Sequence, residues 1–248
     1  MKGLIFVKKL ISGLLALTIA VSGSAIMASA ASWQAIGEQD SGSSDVTLRW
    51  NPDVTADGYR IYKWNQADKK YVGVKTIGGK WKSAAKITGL SAGTSYRFVV
   101  KSYSYDKTSN GGRGSNRVFW TPKSAAMVVS TAPGATTVDA NKTRSSHNAV
   151  RVFWNSYSFK NAVDGESNNK FGGYAIKWYN KNTLKYEDVA YVSGGRKNVR
   201  LNGCNSNKKY TFKVTPYTVN WANGRSVKVM GTDSNSVSIK TKSYSCSC

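Results

Sequence analysis

The feature of this sequence that most restricts its fold is an internal repeat. Residues 46–51 read VTLRWN and residues 150–155 read VRVFWN, while GYRI at 58–61 returns as GYAI at 173–176. The matched blocks, in chain order, are 46–51 with 150–155, 58–61 with 173–176, 70–77 with 185–192, 87–90 with 201–204, 96–100 with 210–214, and 115–118 with 234–237. Because the blocks keep their order, the sequence predicts two copies of one domain.

Both copies consist of short segments in which apolar and polar residues alternate. Val46, Leu48 and Trp50 show this period of two, and Asn, Gly, Asp and Ser cluster between the segments. Such alternation predicts antiparallel strands with one buried face. About seven strands in roughly a hundred residues indicate a sandwich of two sheets. We therefore expect an all-β fold with two tandem β-sandwiches.

The copies resemble the fibronectin type III family at the residues that mark strands B and C and the turn between strands E and F. These residues are Trp50 and Trp154, Tyr59 with Ile61, Tyr174 with Ile176, and Gly89, Leu90 and Tyr96. The resemblance implies an immunoglobulin-like fold with modules at 33–122 and 127–242, a tail at 243–248, and a buried strand-B Trp in each module. The first copy is similar to modules of proteins that Gram-positive bacteria secrete. A sandwich of this kind hosts many functions, so the resemblance leaves the function open.

The first thirty residues have the pattern of a signal peptide. Lys2, Lys8 and Lys9 precede an apolar stretch at 10–27, and Ala28-Ser29-Ala30 supplies the small residues of a cleavage site. We expect cleavage after Ala30, with the mature protein secreted or held at the cell surface and no membrane insertion. The alternative is an uncleaved anchor, because the apolar stretch is close to spanning length.

Charge is the second strong signal in the sequence. The chain has 36 Lys and Arg against 13 Asp and Glu. Removing the leader leaves 33 cations against 13 acids, a net charge of +20. Such a field attracts polyanions, here an anionic cell-wall polymer or an acidic glycan, and nucleic acid only non-specifically. The alternative is a solvated basic surface with no ligand.

Strand alternation predicts where a ligand would bind. If Tyr59 and Ile61 face the core, the outward residues of strands C and F form one exposed face in each module. For the first module these residues are Arg60, Tyr62, Trp64, Arg97, Lys101 and Tyr103, and for the second they are Lys177, Tyr179, Lys213 and Tyr217. Aromatic rings beside cations can stack on sugars or bases. Cross-strand pairs of this type also stabilise a sheet face without any ligand.

The copies differ in the length of two loops. Tyr59 follows Trp50 by nine residues, whereas Tyr174 follows Trp154 by twenty. The repeat alignment also adds five residues between strands F and G of the second copy. Both loops are expected at the end that faces the first module across a short linker at 122–126. The aromatic residues Tyr157, Phe159, Phe171 and Trp221 are therefore predicted either to pack the joint between the modules or to line a cleft there.

Three cysteines are an odd number for a secreted chain. Cys204 stands at the turn between strands E and F, where the first copy has Leu90. This turn is near the expected end of strand G. A Cys204–Cys246 disulfide would pin the tail and leave Cys248 to link a second chain. The alternative is that Cys204 is a small buried apolar residue and the tail cysteines remain unbridged.

Motifs for catalysis, metals or cofactors are lacking in the sequence. His147 is the only histidine and lies in a polar turn, and 164–166 (DGE) has the composition of a turn. We therefore expect no enzyme activity, no metal and no cofactor. The sequence predicts a secreted cationic binding or adhesion protein, with a structural spacer or accessory subunit as the alternative.

Overall fold

The computed structural model describes residues 33–35, 41–105, 117–119, 126–161, 170–222 and 225–244. All the regular elements within these ranges are β-strands, so the fold is all-β. None of the described residues forms a helix long and apolar enough to cross a membrane. The leader, its cleavage site, Cys246 and Cys248 lie outside these ranges.

The first module contains eight strands in two sheets. They are β1 (Trp33–Ala35), β2 (Asp45–Trp50), β3 (Gly58–Asn65), β4 (Lys70–Gly78), β5 (Ala84–Thr88), β6 (Thr94–Tyr105), β7 (Arg117–Phe119) and β8 (Met127–Ser130). One sheet has the order β1-β2-β5, and the other has the order β6-β3-β4 with β7 and β8 paired along β6. The alternating residues of β2, including Val46, Leu48 and Trp50, meet Tyr59, Ile61 and Phe98 in the core between the sheets.

The second module repeats this arrangement. Its strands are β9 (Arg144–Ser145), β10 (Ala149–Phe153), β11 (Lys160–Asn161), β12 (Lys170–Asn180), β13 (Lys185–Ser193), β14 (Asn198–Asn202), β15 (Lys209–Ala222), β16 (Arg225–Met230) and β17 (Val237–Lys240). The sheet β9-β10-β14 packs on the sheet β13-β12-β15, with β16 and β17 paired along β15. Val150, Val152 and Trp154 occupy the core positions that correspond to those of β2.

Two local details are the same in both modules. The ring centroid of Trp50 lies 5.2 Å from that of Tyr59, and Trp154 lies 5.2 Å from Tyr174. At the turn between the sheets, the Tyr96 hydroxyl accepts a hydrogen bond from the Ser91 backbone N–H, and Tyr210 does the same for Asn205, both at 2.8 Å. Gly89 and Gly203 precede these turns with φ of 74° and 77°, a conformation that glycine adopts without steric cost. The two copies of the sequence repeat therefore also share these contacts in the structure.

The boundary between the modules differs from the prediction. Strand β8, expected to begin the second module, pairs antiparallel with β6 of the first, and Val129 is fully buried in the first core. The first module therefore continues through Ser130, and residues 122–126 lie before its last strand.

The alignment of 115–118 with 234–237 is consequently wrong. Val237 pairs with Phe212, and the residue that pairs with the equivalent Phe98 is Met127. The chain from Phe98 to Met127 is longer than the chain from Phe212 to Val237. The longer connection between strands F and G therefore belongs to the first module. The register could not be read from the sequence because short Ser- and Asn-containing segments occur in both loops.

Candidate ligand-binding faces and the module joint

The outward residues of β3 and β6 form what we call the first-module face, namely Arg60, Tyr62, Trp64, Arg97 and Lys101. Arg60 lies directly opposite Lys101. The Arg60 guanidinium carbon lies 5.6 Å from the Tyr62 ring centroid, and that of Arg97 lies 5.9 Å from the Trp64 ring. All five residues are half-buried. The structure thus brings these side chains together, and both arginines contact aromatic rings of the protein itself, which stabilises an exposed sheet face.

Tyr103 and Tyr217 were expected to be exposed, but both are buried. Their exposed fractions are 2% and 8%, so the prediction that they project into solvent is wrong. Tyr103 is paired opposite Gly58, where an added Cβ would come within 2.6 Å of the tyrosine hydroxyl. Tyr217 covers Gly172 in the same way. The missing side chain on the neighbouring strand lets each ring lie flat against the sheet.

An acid balances part of the charge on the corresponding face of the second module. The Nζ atoms of Lys177 and Lys213 lie 2.8 Å and 3.6 Å from the carboxylate of Asp233. Lys213 also lies 4.5 Å from the Tyr186 ring centroid, and Tyr179, 37% exposed, packs edge-on against the same ring. Burial alone raises the pKa of Asp233, but hydrogen bonds from Lys177 and Thr215 and the charges of the two lysines outweigh it. The pKa is therefore lowered and the carboxylate stays ionised beside the lysines.

We predict that Asp233→Asn destabilises the protein at neutral pH but not in acid. A carboxyl whose pKa is lowered by folding contributes stability above its unfolded pKa, near 3.8, and loses it as pH falls through the folded value. The difference in unfolding free energy between wild type and variant should be constant near pH 7 and vanish toward pH 2. Urea denaturation at a series of pH values measures it. Asp68→Asn, which removes an exposed pair with Lys70, is the control and should change stability little at either pH. A loss at Asp233 that persists at pH 2 would contradict the prediction.

The two modules are joined by backbone pairing as well as by side chains. Strand β11 of the second module pairs parallel with the start of β6, placing Lys160 beside Thr94 and Asn161 beside Ser95. The Lys160 N–H donates to the Gly93 carbonyl at 3.0 Å, and the Ser95 hydroxyl donates to Asn161 Oδ1 at 2.6 Å. A strand of one module therefore extends a sheet of the other.

Asn220 on β15 provides a buried polar clamp at the same joint. Its Oδ1 accepts from the Ser130 N–H at 2.7 Å, and its Nδ2 donates to the Ser130 carbonyl at 2.9 Å. Nδ2 also lies 3.3 Å from the Ser41 hydroxyl. The side chain of Thr218 donates to the Thr131 carbonyl at 3.2 Å. Asn220 was not anticipated from the sequence, because nothing in its neighbourhood distinguishes it from the many other asparagines.

Three of the four predicted joint aromatics form a stack. The Phe171 ring lies 5.6 Å from Tyr157 and 6.1 Å from Phe159. The Tyr157 hydroxyl accepts from the Gly134 N–H at 3.0 Å and contacts Gly93 of the first module. Trp221 is paired with Ser226 through its backbone, and its side chain lies outside the described part. The described members of this set pack against one another and across the joint.

Cys204 is 5% exposed and belongs to the second core. Its Sγ lies 3.7 Å from the Leu201 carbonyl, and burial raises the pKa of the thiol. The tail passes close by, since the Tyr244 N–H donates to the Ser206 hydroxyl at 3.0 Å. Cys246 lies beyond the described residues, so its disulfide with Cys204 stays a prediction.

We predict that Cys204 resists alkylation while the protein is folded. A buried thiol with a raised pKa forms little of the reactive thiolate. Iodoacetamide should therefore alkylate Cys204 at least about ten-fold more slowly than it alkylates the free thiol of glutathione. Peptide mapping by mass spectrometry gives the rate. Repeating the labelling in urea without reductant tests the bridge, because only an unbridged Cys204 is then modified. Fast labelling of the native protein would contradict the burial.

Glu187, Asp188 and His147 also have partners within the protein. The Glu187 carboxylate accepts hydrogen bonds from Asn180 and Thr183, which lower its pKa. Asp188 accepts from the Tyr191 hydroxyl at 2.5 Å, and His147 packs edge-on against Tyr244. In the described ranges no three His, Cys, Asp or Glu residues are grouped so that they could hold a metal ion.

Comparison with known proteins gives a match within the first module. Residues 34–124 match the family model of the Fibronectin type III domain. The second module has the same strand order and core positions. A search of the curated proteins gives no significant match.

Several solved structures are similar to this chain. The chicken CNTN1 FN1-FN3 domains are 18% identical, with 86% of this chain and 67% of that chain covered and a TM-score of 0.42. A segment of two fibronectin type III domains from chicken tenascin is 16% identical, with 86% and 98% covered and a TM-score of 0.34. The central fibronectin-III array of RIM-binding protein is 14% identical, with 87% and 69% covered and a TM-score of 0.29. At these scores the fold assignment depends on the family match and on the strand pairing.

Proposed function

We propose that the protein is a secreted, non-enzymatic binding or adhesion protein that attaches to polyanions at a bacterial cell surface. Domains of this family commonly serve as binding modules or spacers. The observation that carries the proposal is the excess of cations. Even if every one of the 13 acids neutralised one cation, the chain without its leader would keep a charge of +20. The leader pattern supports export, and the charge supports retention at an anionic wall or glycan.

The described acids are already engaged within the protein. Asp45 pairs with Lys86 at 3.2 Å, Asp139 with Lys142 at 3.3 Å, and Asp233 with two lysines. Asp53 and Asp57 accept backbone N–H bonds from Thr55 and Tyr105. Because these acids serve internal contacts, the surplus of positive charge is available to an external polyanion.

Binding of the mature protein to immobilised polymers tests the proposal. Polyphosphate, heparin and poly-glutamate are compared at matched charge density, with neutral dextran as the control. We expect retention at 150 mM salt that falls as salt rises and that differs among the three polyanions. Retention that follows charge density alone would show that net charge, rather than a binding site, is responsible.

The module joint favours a second candidate function, a rigid spacer. A shared parallel strand pair and a buried asparagine clamp hold the modules together, whereas modules that only tether partners often have mobile junctions. A spacer would show no preference among polyanions, and its activity would depend on the distance between its ends. Small-angle scattering of wild type and of a joint variant would measure that distance.

A further inference from the structure

Three arginines stand in a row across the sheet β9-β10-β14 of the second module. Arg151 on β10 lies directly opposite Arg144 on β9 and directly opposite Arg200 on β14. All three are exposed. They line an open cavity of about 370 Å³ whose other walls are Ser145, Ser146, Ala149 and Phe153. Because neighbouring strands lie about 4.8 Å apart, the row is roughly 10 Å long. We call it the arginine row.

The arginine row has no acid to balance it among the residues that the structure describes. The one side-chain hydrogen bond of the row there runs from Arg200 Nε to Asn202 Oδ1 at 2.9 Å, and none of the three forms an ion pair with a described acid. Asp139, which precedes the sheet, has its carboxylate held by Lys142 and by two backbone N–H groups. Like charges directly opposite each other on a sheet destabilise the fold. The row is therefore a cost to folding that a bound anion would relieve.

The first module shows that the fold does not require this arrangement. The positions equivalent to Arg151 and Arg200 are Thr47 and Lys86, which are paired in the same register on β2 and β5. Lys86 forms an ion pair with Asp45, and the equivalent of Asp45 in the second module is Ala149. The second module thus has more cations at this place and lacks the acid that balances them in the first.

We propose that the arginine row binds neighbouring phosphate groups of a linear phosphate polymer. The guanidinium fork matches the geometry of phosphate and can donate two parallel hydrogen bonds. A row about 10 Å long is too wide for one phosphate and suits consecutive groups along a chain. Unlike the arginines of the first-module face, these three lie on no aromatic ring in the described structure. The inference rests on the proposed polyanion binding and assigns it a site.

The experiment compares charge-matched triple variants for binding to long-chain inorganic polyphosphate. We expect Arg144→Gln with Arg151→Gln and Arg200→Gln to weaken binding at least about ten-fold at 150 mM salt. The matched control, Lys181→Gln with Lys185→Gln and Lys208→Gln, removes the same charge from exposed positions and should weaken it less than about three-fold. A third variant, Arg60→Gln with Arg97→Gln and Lys101→Gln, tests the first-module face.

The outcomes distinguish failure of the arginine row as a binding site from failure of the proposed polyanion binding. Equal losses in all three variants, or a loss confined to the first-module face, would overturn the arginine row while leaving polyanion binding intact. A wild-type protein that binds no polyanion would overturn both. Tighter binding to heparin than to polyphosphate, lost in the arginine-row variant, would keep the site but refute phosphate as its ligand.

A lysine variant guards against effects on folding. Changing the three arginines to lysine keeps the charge but removes the fork, so we expect an affinity between those of wild type and the glutamine variant. Unchanged affinity would refute recognition by the guanidinium geometry. The glutamine variant should melt at or above the wild-type temperature, because it relieves repulsion along the row. A marked fall in melting temperature would contradict that argument.

Discussion

Trp50→Ala and Trp154→Ala are each expected to lower the free energy of unfolding by about 3–5 kcal/mol. The two indoles are 4% and 3% exposed and belong to the two hydrophobic cores. Each packs at 5.2 Å on the tyrosine of the neighbouring sheet. Truncation removes a large apolar area and leaves a cavity that a sandwich of two twisted sheets cannot collapse. Urea denaturation followed by circular dichroism measures the loss.

Trp81 supplies a control of the same residue type. It is 68% exposed, so Trp81→Ala should change stability by no more than about 0.5 kcal/mol. A loss below about 1 kcal/mol at Trp50 or Trp154 would be inconsistent with their positions in the two cores.

Asn220→Ala is expected to cost about 2–3 kcal/mol and to uncouple the modules. The substitution leaves the N–H and carbonyl of Ser130 without their partners in a buried joint. Wild type should unfold in one transition because the modules share backbone pairing, and the variant should unfold in two. Differential scanning calorimetry distinguishes the cases.

Asn235 is the matched comparison. Its amide makes the same reciprocal contacts, with Val138, but it is exposed and lies within the second module. Asn235→Ala should therefore cost less than Asn220→Ala and leave the number of transitions unchanged. Two transitions in wild type would show that the joint does not couple the modules.

Local pattern was sufficient to predict the core of each sandwich. A period of two on β2 and β3 places Trp50, Tyr59 and Ile61 inward, where all three are buried. The resemblance at Gly89, Leu90 and Tyr96 indicated the turn between strands E and F, and a tyrosine hydroxyl accepts a backbone hydrogen bond there in both modules. These features depend on residues close together in the sequence.

Features that depend on distant residues were not predictable in the same way. Burial of Tyr103 requires Gly58 on the adjacent strand, and neutralisation of Lys177 requires Asp233 from a loop 56 positions away. The arginine row combines residues of three strands whose register the sequence does not state. Alternation on β10 alone does place Arg151 outward, because Val150 and Val152 face the core.

The position of β8 determines how the first module could be isolated. A fragment ending at residue 122 would lack the strand that pairs with Ser95–Phe98, leaving an open strand edge and an uncovered part of the core. Open edges recruit strands from other molecules, so such a fragment should aggregate or exchange strands between copies. A self-contained fragment would extend at least to Thr131, whose N–H donates to the Thr94 carbonyl at 3.0 Å. Even then it would expose the backbone beside Gly93 that β11 covers in the intact protein.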